Sequence, residues 1–175
     1  MDVLNTLEEK AFWGHEFLTW LWYRIEEHGG EVPVPGMGTA TLWIEERLTL
    51  GSLETDSKEN ILRNGEVARS AEAAAALAVG KKVQEVRLGL AVNDREYEFT
   101  LKGDTLDLAA GKVPSVEGDP DEGWHGTALV RAGLIREIWD VLDALYREFV
   151  ENRVSSAWPD TVTSMGRWIS EKRGA

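Results

Sequence analysis

The large apolar side chains of residues 12–25 repeat with the period of an α-helix. Leu18, Leu21 and Ile25 follow one another at spacings of three and four, so they share one helix face. The face beside it carries three aromatic residues, Trp13, Phe17 and Trp20. A helix that is apolar on most of its circumference must lie in a core or against a partner. We therefore predict that the aliphatic face packs on a sheet and the aromatic face on the C-terminal helices or a second chain.

The limits of this first helix are predicted from the residues that flank it. Thr6 followed by Glu9 has the S/T-x-x-E spacing of a capping box, which is typical of a helix start. His28 precedes Gly29-Gly30, and glycine adopts the left-handed backbone of a helix end at little cost. We expect the helix to run from Thr6 to about His28.

Alternation of apolar and polar residues predicts an antiparallel sheet. Residues 31–34 contain Pro33, which favours a position at the sheet edge. Residues 39–50 form the first long strand, and residues 53–63 supply further strand segments.

A second set of strands forms a meander. Residues 82–92 alternate cleanly, Asn93-Asp94 is typical of a hairpin turn, and residues 97–101 continue the alternation on the return strand. Residues 105–108 are predicted to form a third, short strand.

Three further helices are expected. An alanine-rich helix at residues 71–79 is predicted to pack against the sheet, and residues 127–154 form a long amphipathic helix. Pro159 lies in the first turn of a last helix. The apolar face of the long helix contains Ile135, Ile138, Leu142, Leu145 and Phe149, and that of the last helix contains Trp158, Val162, Met165 and Ile169.

These elements predict an α+β fold in which a mainly antiparallel sheet packs against an aromatic N-terminal helix, with a C-terminal helical pair. Residues 1–110 form the α+β part and residues 111–126 an exposed acidic connection. Residues 127–175 supply helices that pack on the same core, so we expect a single domain.

Composition narrows the classes of function. The chain has no cysteine, which excludes disulfides and thiolate metal sites and agrees with a cytoplasmic protein. No segment resembles a membrane span or a secretory signal. The net charge of −12 disfavours nucleic-acid binding by the whole surface.

Motifs for catalysis are missing from the sequence. It contains no nucleophile elbow and no Gly-rich phosphate loop, and its three histidines lack metal-ligand spacing. Asp104 and Asp107, with Asp94 and Glu96, are compatible with a two-metal nuclease, but aspartate is also common in hairpin turns. We expect a non-enzymatic protein with no catalytic residue, no metal and no cofactor.

The eight tryptophans have three interpretations. A simple core is favoured, an oligomer or partner interface comes second, and stacking on nucleic-acid bases comes third because Lys and Arg are scarce on the first helix. The candidate interface residues are Trp13, Phe17, Trp20 and Trp139.

Several stretches resemble the C-terminal half of the recombination-associated protein RdgC family. They are EFLTWLWYR at residues 16–24, ILR at 61–63, SAEAAAALAVGKKVQEVRLGLA at 70–91 and REYEFTLKGDTLDL at 95–108. The resemblance implies an α+β fold, a ring-like homodimer, and sequence-independent binding of double-stranded DNA that restrains recombinase loading. The family's putative-exonuclease label has no supporting residues here.

The resemblance also implies partners and a location. The N-terminal half of the family has no counterpart ahead of Met1, so we expect a homodimer or a partner that supplies it. Lys81 and Lys82 are the candidate phosphate contacts, although a helix end that favours cations also explains them. A DNA-binding protein of this kind is nucleoid-associated. The alternative is an interaction or oligomerisation module that has lost contact with DNA.

Overall fold

The computed structural model describes the backbone of residues 3–51, 60–63, 71–115 and 123–174, and the side chains of 14–51, 61–62, 71–115 and 126–174. Within these residues, four helices and a six-stranded antiparallel sheet form an α+β fold, so the predicted class is confirmed. The elements in chain order are α1 (Val3–His28), β1 (Glu31–Val34), β2 (Gly38–Gly51), β3 (Asn60–Arg63), α2 (Ala71–Ala78), β4 (Lys82–Val92), β5 (Arg95–Lys102), β6 (Leu108–Lys112), α3 (Gly123–Val154) and α4 (Trp158–Gly174).

The strands lie in the order β1-β2-β4-β5-β6, and β3 pairs with the second half of β2. Strand β1 is at the edge, as Pro33 predicts. Cross-strand register places Leu42 opposite Leu90 and Leu88 opposite Phe99, on the face that packs against the helices. None of the described helices combines the length and apolar character needed to cross a membrane.

The β4–β5 hairpin confirms the predicted turn. Asn93 and Asp94 have φ of 50° and 60°, the left-handed pair of a type I′ turn. This turn matches the right-handed twist of the flanking strands. The resulting register pairs Leu90 with Tyr97, and both side chains are buried in the core.

The third strand of the meander differs from the prediction. It begins at Leu108 and continues through residues assigned from the sequence to the acidic connection, and Thr105 lies in a turn instead. Leu106 and Ala110 have φ of 58° and 49°, a backbone region that alternation does not encode. The register between β5 and β6 also shifts between Glu98 and Thr100.

Helix α1 packs very closely on the start of β4 and on the β5–β6 turn. A Cβ on Gly14 would lie 2.0 Å from the Gly103 carbonyl oxygen. His15 is buried with Nδ1 3.2 Å from the Val83 carbonyl oxygen, and the Val83 amide donates to Thr19 Oγ1 at 3.3 Å. The helix begins at Val3, ahead of the predicted capping box, and ends at His28 as predicted.

The aromatic face of α1 packs on α3. The ring centroid of Phe17 lies 5.2 Å from that of Tyr146, and the Trp20 and Phe149 centroids are 5.5 Å apart. Arg24 binds Glu148 at 3.1 Å beside these rings. The prediction that this face meets the C-terminal helices is therefore confirmed for Phe17 and Trp20.

Helix α4 packs through a face that includes Trp158, Met165 and Ile169 of the predicted face but is centred on Trp168. Trp168 is buried, with its ring centroid 5.0 Å from that of Trp22, whereas Val162 of the predicted face is 49% exposed. Helix α2 contacts the sheet at β2 and β3, as predicted, but packs chiefly on α4. The two Trp rings are perpendicular, and this packing rotates α4 relative to the expected face.

One face of α3 lies in the core shared with the sheet and α1. Its buried residues are Leu134, Ile138, Val141, Leu142, Leu145 and Phe149. Ile135 was predicted to belong to this face, but its side chain is 44% exposed. Leu134 takes the core position in its place.

A hydrogen bond joins β5 to α3 at the border of this core. The hydroxyl of Tyr97 donates to the carboxylate of Glu137, which also binds Arg95 at 2.8 Å. Burial first, and the Glu137 hydrogen bond second, raise the pKa of Tyr97 above its ordinary value. The neutral phenol is therefore the form that the folded chain favours.

We expect the folded chain to lose stability at alkaline pH because Tyr97 must release its proton. The pKa of Tyr97 is higher in the folded chain than in the unfolded chain, where it is near 10. The stability that Tyr97 contributes is therefore complete below pH 10 and is lost as the pH rises towards the folded-state pKa. Tyr97→Phe removes this dependence, so its free energy of unfolding should fall less steeply above pH 10, by up to about 1.4 kcal/mol per pH unit. Urea unfolding of both proteins from pH 8 to pH 11.5 measures the difference. Parallel curves would contradict the coupling.

Candidate interaction surface

The four candidate interface residues occupy different environments. Phe17 and Trp20 are each 2% exposed, so both contact the chain's own α3 and offer no surface to a second chain. The side chain of Trp13 lies outside the described residues. Trp139 on α3 is 43% exposed. Of the four, Trp139 is the one that the structure places at the surface.

Lys81 and Lys82 lie at the junction between α2 and β4. Gly80 has φ of 88°, and the Lys81 amide donates to the Ala76 carbonyl at 3.1 Å, which is the geometry of a left-handed helix end. Both lysine side chains are half-buried, and each takes part in an interaction within the chain. Their contact with DNA phosphates stays a prediction.

The carboxylates considered for a metal pair are far apart. Asp94 lies in the turn before β5 and Glu96 near the start of that strand, whereas Asp104 and Asp107 follow its end. A strand of eight residues spans roughly 26 Å, so the two pairs cannot share metal ions. Asp104 accepts a hydrogen bond from the Thr105 amide at 2.9 Å, which is a turn interaction. No group of three potential ligands occurs in the ranges that the structure describes.

An open cleft of about 1000 Å³ lies between α3 and the sheet edge at β6. Its helix side is formed by Arg131, Ile135 and Trp139, one α-helical stripe at spacings of four. Leu108 and Val113 line the side of the sheet edge. The cleft lies where a further helix, next to α3, would cover β6.

Trp139 also borders a smaller, almost entirely apolar cavity of about 140 Å³. Phe17, Leu106 and Tyr146 line this cavity, which lies on the α1 side of the tryptophan. Trp139 therefore stands between the two openings. We call the open cleft, together with Ile135 and Trp139, the α3–β6 cleft.

Backbone irregularity marks the β6 side of this cleft. Ala110 has φ of 49°, and the ladder to β5 shifts register between Glu98 and Thr100. Such a bulge twists an edge strand and interrupts regular pairing with a further strand. In the described part of the chain, β6 pairs with β5 alone.

Among the described residues that line the α3–β6 cleft, cations outnumber acids. Lys102, Lys112 and Arg131 border it together with Asp107. Lys112 lies 3.1 Å from Glu98 on the neighbouring strand, whereas Lys102 and Arg131 have no carboxylate partner within the described residues. This balance is unusual for a chain with a net charge of −12.

Sequence reasoning identified Trp139 and missed Ile135 and Arg131. Leu134 and Ile135 are adjacent and equally apolar, so periodicity alone does not decide which of them faces the core. A usable signal was present nevertheless. Arg131, Ile135 and Trp139 share one stripe, and a stripe that begins with arginine is a poor candidate for a fully buried face.

The fold and the cleft define an α+β domain with an open groove between its helical layer and one sheet edge. Comparison with protein-family models finds no family that matches this chain. Comparison with curated proteins finds no significant match.

Proposed function

We propose that this chain is a non-enzymatic interaction domain that acts in DNA recombination by binding another protein in the α3–β6 cleft. The link to recombination rests on the resemblance of residues 16–24, 61–63, 70–91 and 95–108 to the RdgC family. The interaction role rests on the cleft. A catalytic role is not favoured, because the carboxylates at the two ends of β5 are too far apart to cooperate.

The observation that carries the interaction role is the exposure of Ile135 and Trp139 beside an open cleft. Their side chains are 44% and 43% exposed, although the core lies directly beneath them. Each large apolar side chain that stays in water loses roughly 1 kcal/mol or more of the free energy that its burial would give. An exposed apolar patch of this kind is therefore typical of a binding site. Aromatic residues are also enriched among those that dominate protein interfaces.

Contact with DNA is the second candidate activity, and Lys81 and Lys82 are the residues that favour it. The surrounding charge opposes it, because the whole chain carries −12. We expect no binding of a labelled DNA duplex at about 50 mM salt, a condition under which phosphate contacts are strong.

Fluorescence anisotropy over a salt series measures this binding, and light scattering on the same samples gives the mass in solution. A steep fall of affinity with salt would contradict the expectation and restore DNA binding. In that case Lys81→Ala and Lys82→Ala should each lower the salt slope by about one, whereas Arg167→Ala on α4 is the control.

A further inference from the structure

We infer that the α3–β6 cleft binds the apolar face of a short acidic amphipathic helix from a partner protein. This inference rests on the proposed interaction role and specifies the chemistry of the partner. Four properties carry it: the volume of the cleft, the apolar side chains that form part of its lining, the irregular edge of β6 and the excess of cations among the described lining residues.

The volume fits two turns of helix. A helix about 10 Å wide that rises 1.5 Å per residue occupies roughly 120 Å³ per residue. The volume of about 1000 Å³ therefore corresponds to roughly eight residues. A helix in this position would extend the helical layer past α3 and over β6.

The apolar part of the lining fits an apolar helix face, and polar groups form the rest of the lining. Ile135 and Trp139 project from one side, and Leu108 and Val113 form the other. An amphipathic helix with apolar residues at i, i+3, i+4 and i+7 presents a continuous stripe to such a groove. Trp139 offers one stacking plane for a nucleic-acid base, but Ile135, Leu108 and Val113 offer none. A lining in which the aliphatic side chains outnumber the exposed aromatic one favours a peptide over a single strand of DNA.

An added strand is a poorer occupant. Pairing of a further strand with β6 requires a regular row of free amide and carbonyl groups. The left-handed Ala110 and the register shift beside it interrupt that row. The exposed Lys112 at the end of β6 is also typical of protected sheet edges.

A second copy that meets this cleft with its own cleft is also a poorer occupant. Two concave clefts face to face across a two-fold axis leave each other unfilled. That arrangement would also bring Lys102 and Arg131 against the cations of the other copy. The occupant therefore comes from a convex element with opposite charge. Acidic residues that flank an apolar helix face would meet Lys102, Lys112 and Arg131.

The experiment uses the full chain and labelled peptides of about 14 residues, a length at which designed helices begin to form. One peptide carries leucine at i, i+3, i+4 and i+7 with glutamate at the flanking positions. A second peptide replaces each glutamate by lysine. Fluorescence anisotropy at about 50 mM salt, repeated at about 300 mM, measures both, and a labelled oligothymidine is titrated in parallel.

We expect the acidic peptide to bind and the basic peptide to bind at least about tenfold more weakly. Arg131→Glu should weaken the acidic peptide about tenfold, and Arg167→Glu, the same charge change on α4, should leave its binding unchanged. Ile135→Ser should also weaken it, with Val162→Ser on α4 as the matched control because its side chain is 49% exposed. Circular dichroism establishes that each variant is folded.

Three outcomes would overturn the inference. Equal binding of both peptides in the cleft would remove the acidic specificity and leave the proposed interaction role standing. Binding of oligothymidine that Arg131→Glu abolishes, without peptide binding, would make the cleft a nucleic-acid site. Failure of both peptides to bind would overturn it too and, together with a monomeric mass and a steep salt slope on duplex DNA, would remove the interaction role as well.

Discussion

Replacing Gly30 by alanine is expected to destabilise this protein by about 4 kcal/mol or more, because two independent costs combine at one position. Gly30 has φ of 72°, a left-handed conformation that costs an L-residue with a side chain about 1–2 kcal/mol. An added Cβ would also lie 1.9 Å from the Leu42 carbonyl oxygen. To relieve this contact, the turn at Gly30 must move away from β2. That movement disrupts the hydrogen bond that the Leu42 amide donates to the Gly30 carbonyl at 2.9 Å.

Gly29 supplies a matched control for this substitution. Its φ is also 72°, but a Cβ there would meet nothing within 4 Å. Gly29→Ala should therefore cost only the conformational part, about 1–2 kcal/mol. Urea unfolding of the two variants and the parent protein measures both free energies. Equal losses at Gly29 and Gly30 would mean that the close approach of the turn to β2 is absent.

Trp20→Ala is expected to lower the free energy of unfolding by about 3–5 kcal/mol. Trp20 is 2% exposed, and its ring contacts Phe17 and Phe149, with centroids 6.1 Å and 5.5 Å away. Removing the indole leaves a cavity at the contact between α1 and α3, and the surrounding side chains can fill it only in part. Urea unfolding with a circular dichroism signal measures the loss.

Trp139→Ala is the control, since it deletes the same side chain from the α3–β6 cleft. Its indole is already 43% exposed, so we expect a loss of about 1–2 kcal/mol, clearly smaller than at Trp20. Trp139→Ala should also weaken binding of the acidic peptide, whereas Trp20→Ala is used only to measure the stability of the fold. A loss at Trp139 as large as at Trp20 would mean that Trp139 belongs to the core, not to a binding surface.

The apolar patterns predicted the helices and the hairpin because those patterns act over short distances. Gly29-Gly30 ends α1 through the conformational freedom of glycine, and Asn93-Asp94 turns the hairpin through its left-handed pair. The aromatic face of α1 was assigned correctly because so large an apolar surface can be buried only against another element. The end of α1 and the β4–β5 register could therefore be predicted without knowing the rest of the fold.

The β6 strand could not be predicted in the same way. Leu106 and Ala110 adopt left-handed backbone, which the residue types themselves do not favour. The conformation is held by contacts of the surrounding chain, including the Leu106 amide donating to the Lys102 carbonyl at 2.9 Å and the Gly103 amide donating to Gln84 at 2.7 Å. The first contact is local, but the second reaches β4, so no local pattern reports it.

The candidate site depended still more on tertiary structure. Arg131, Ile135 and Trp139 are visible in the sequence as a helical stripe, but their exposure follows from the rotation of α3 about its own axis. That rotation is set by Phe149 against Phe17 and Trp20, and by Tyr97 against Glu137. Each of these contacts joins residues that are distant in the chain.

The sequence by itself determined the α+β class, the hairpin and the burial of the aromatic face of α1, because periodicity, turn chemistry and the hydrophobic effect act on neighbouring residues. Tertiary structure alone decided which faces of α3 and α4 turn inward, and where the cleft opens. A helix with two adjacent apolar stripes can bury either of them. Close packing with side chains that are distant in the sequence decides which stripe is buried, because it leaves room for only one arrangement.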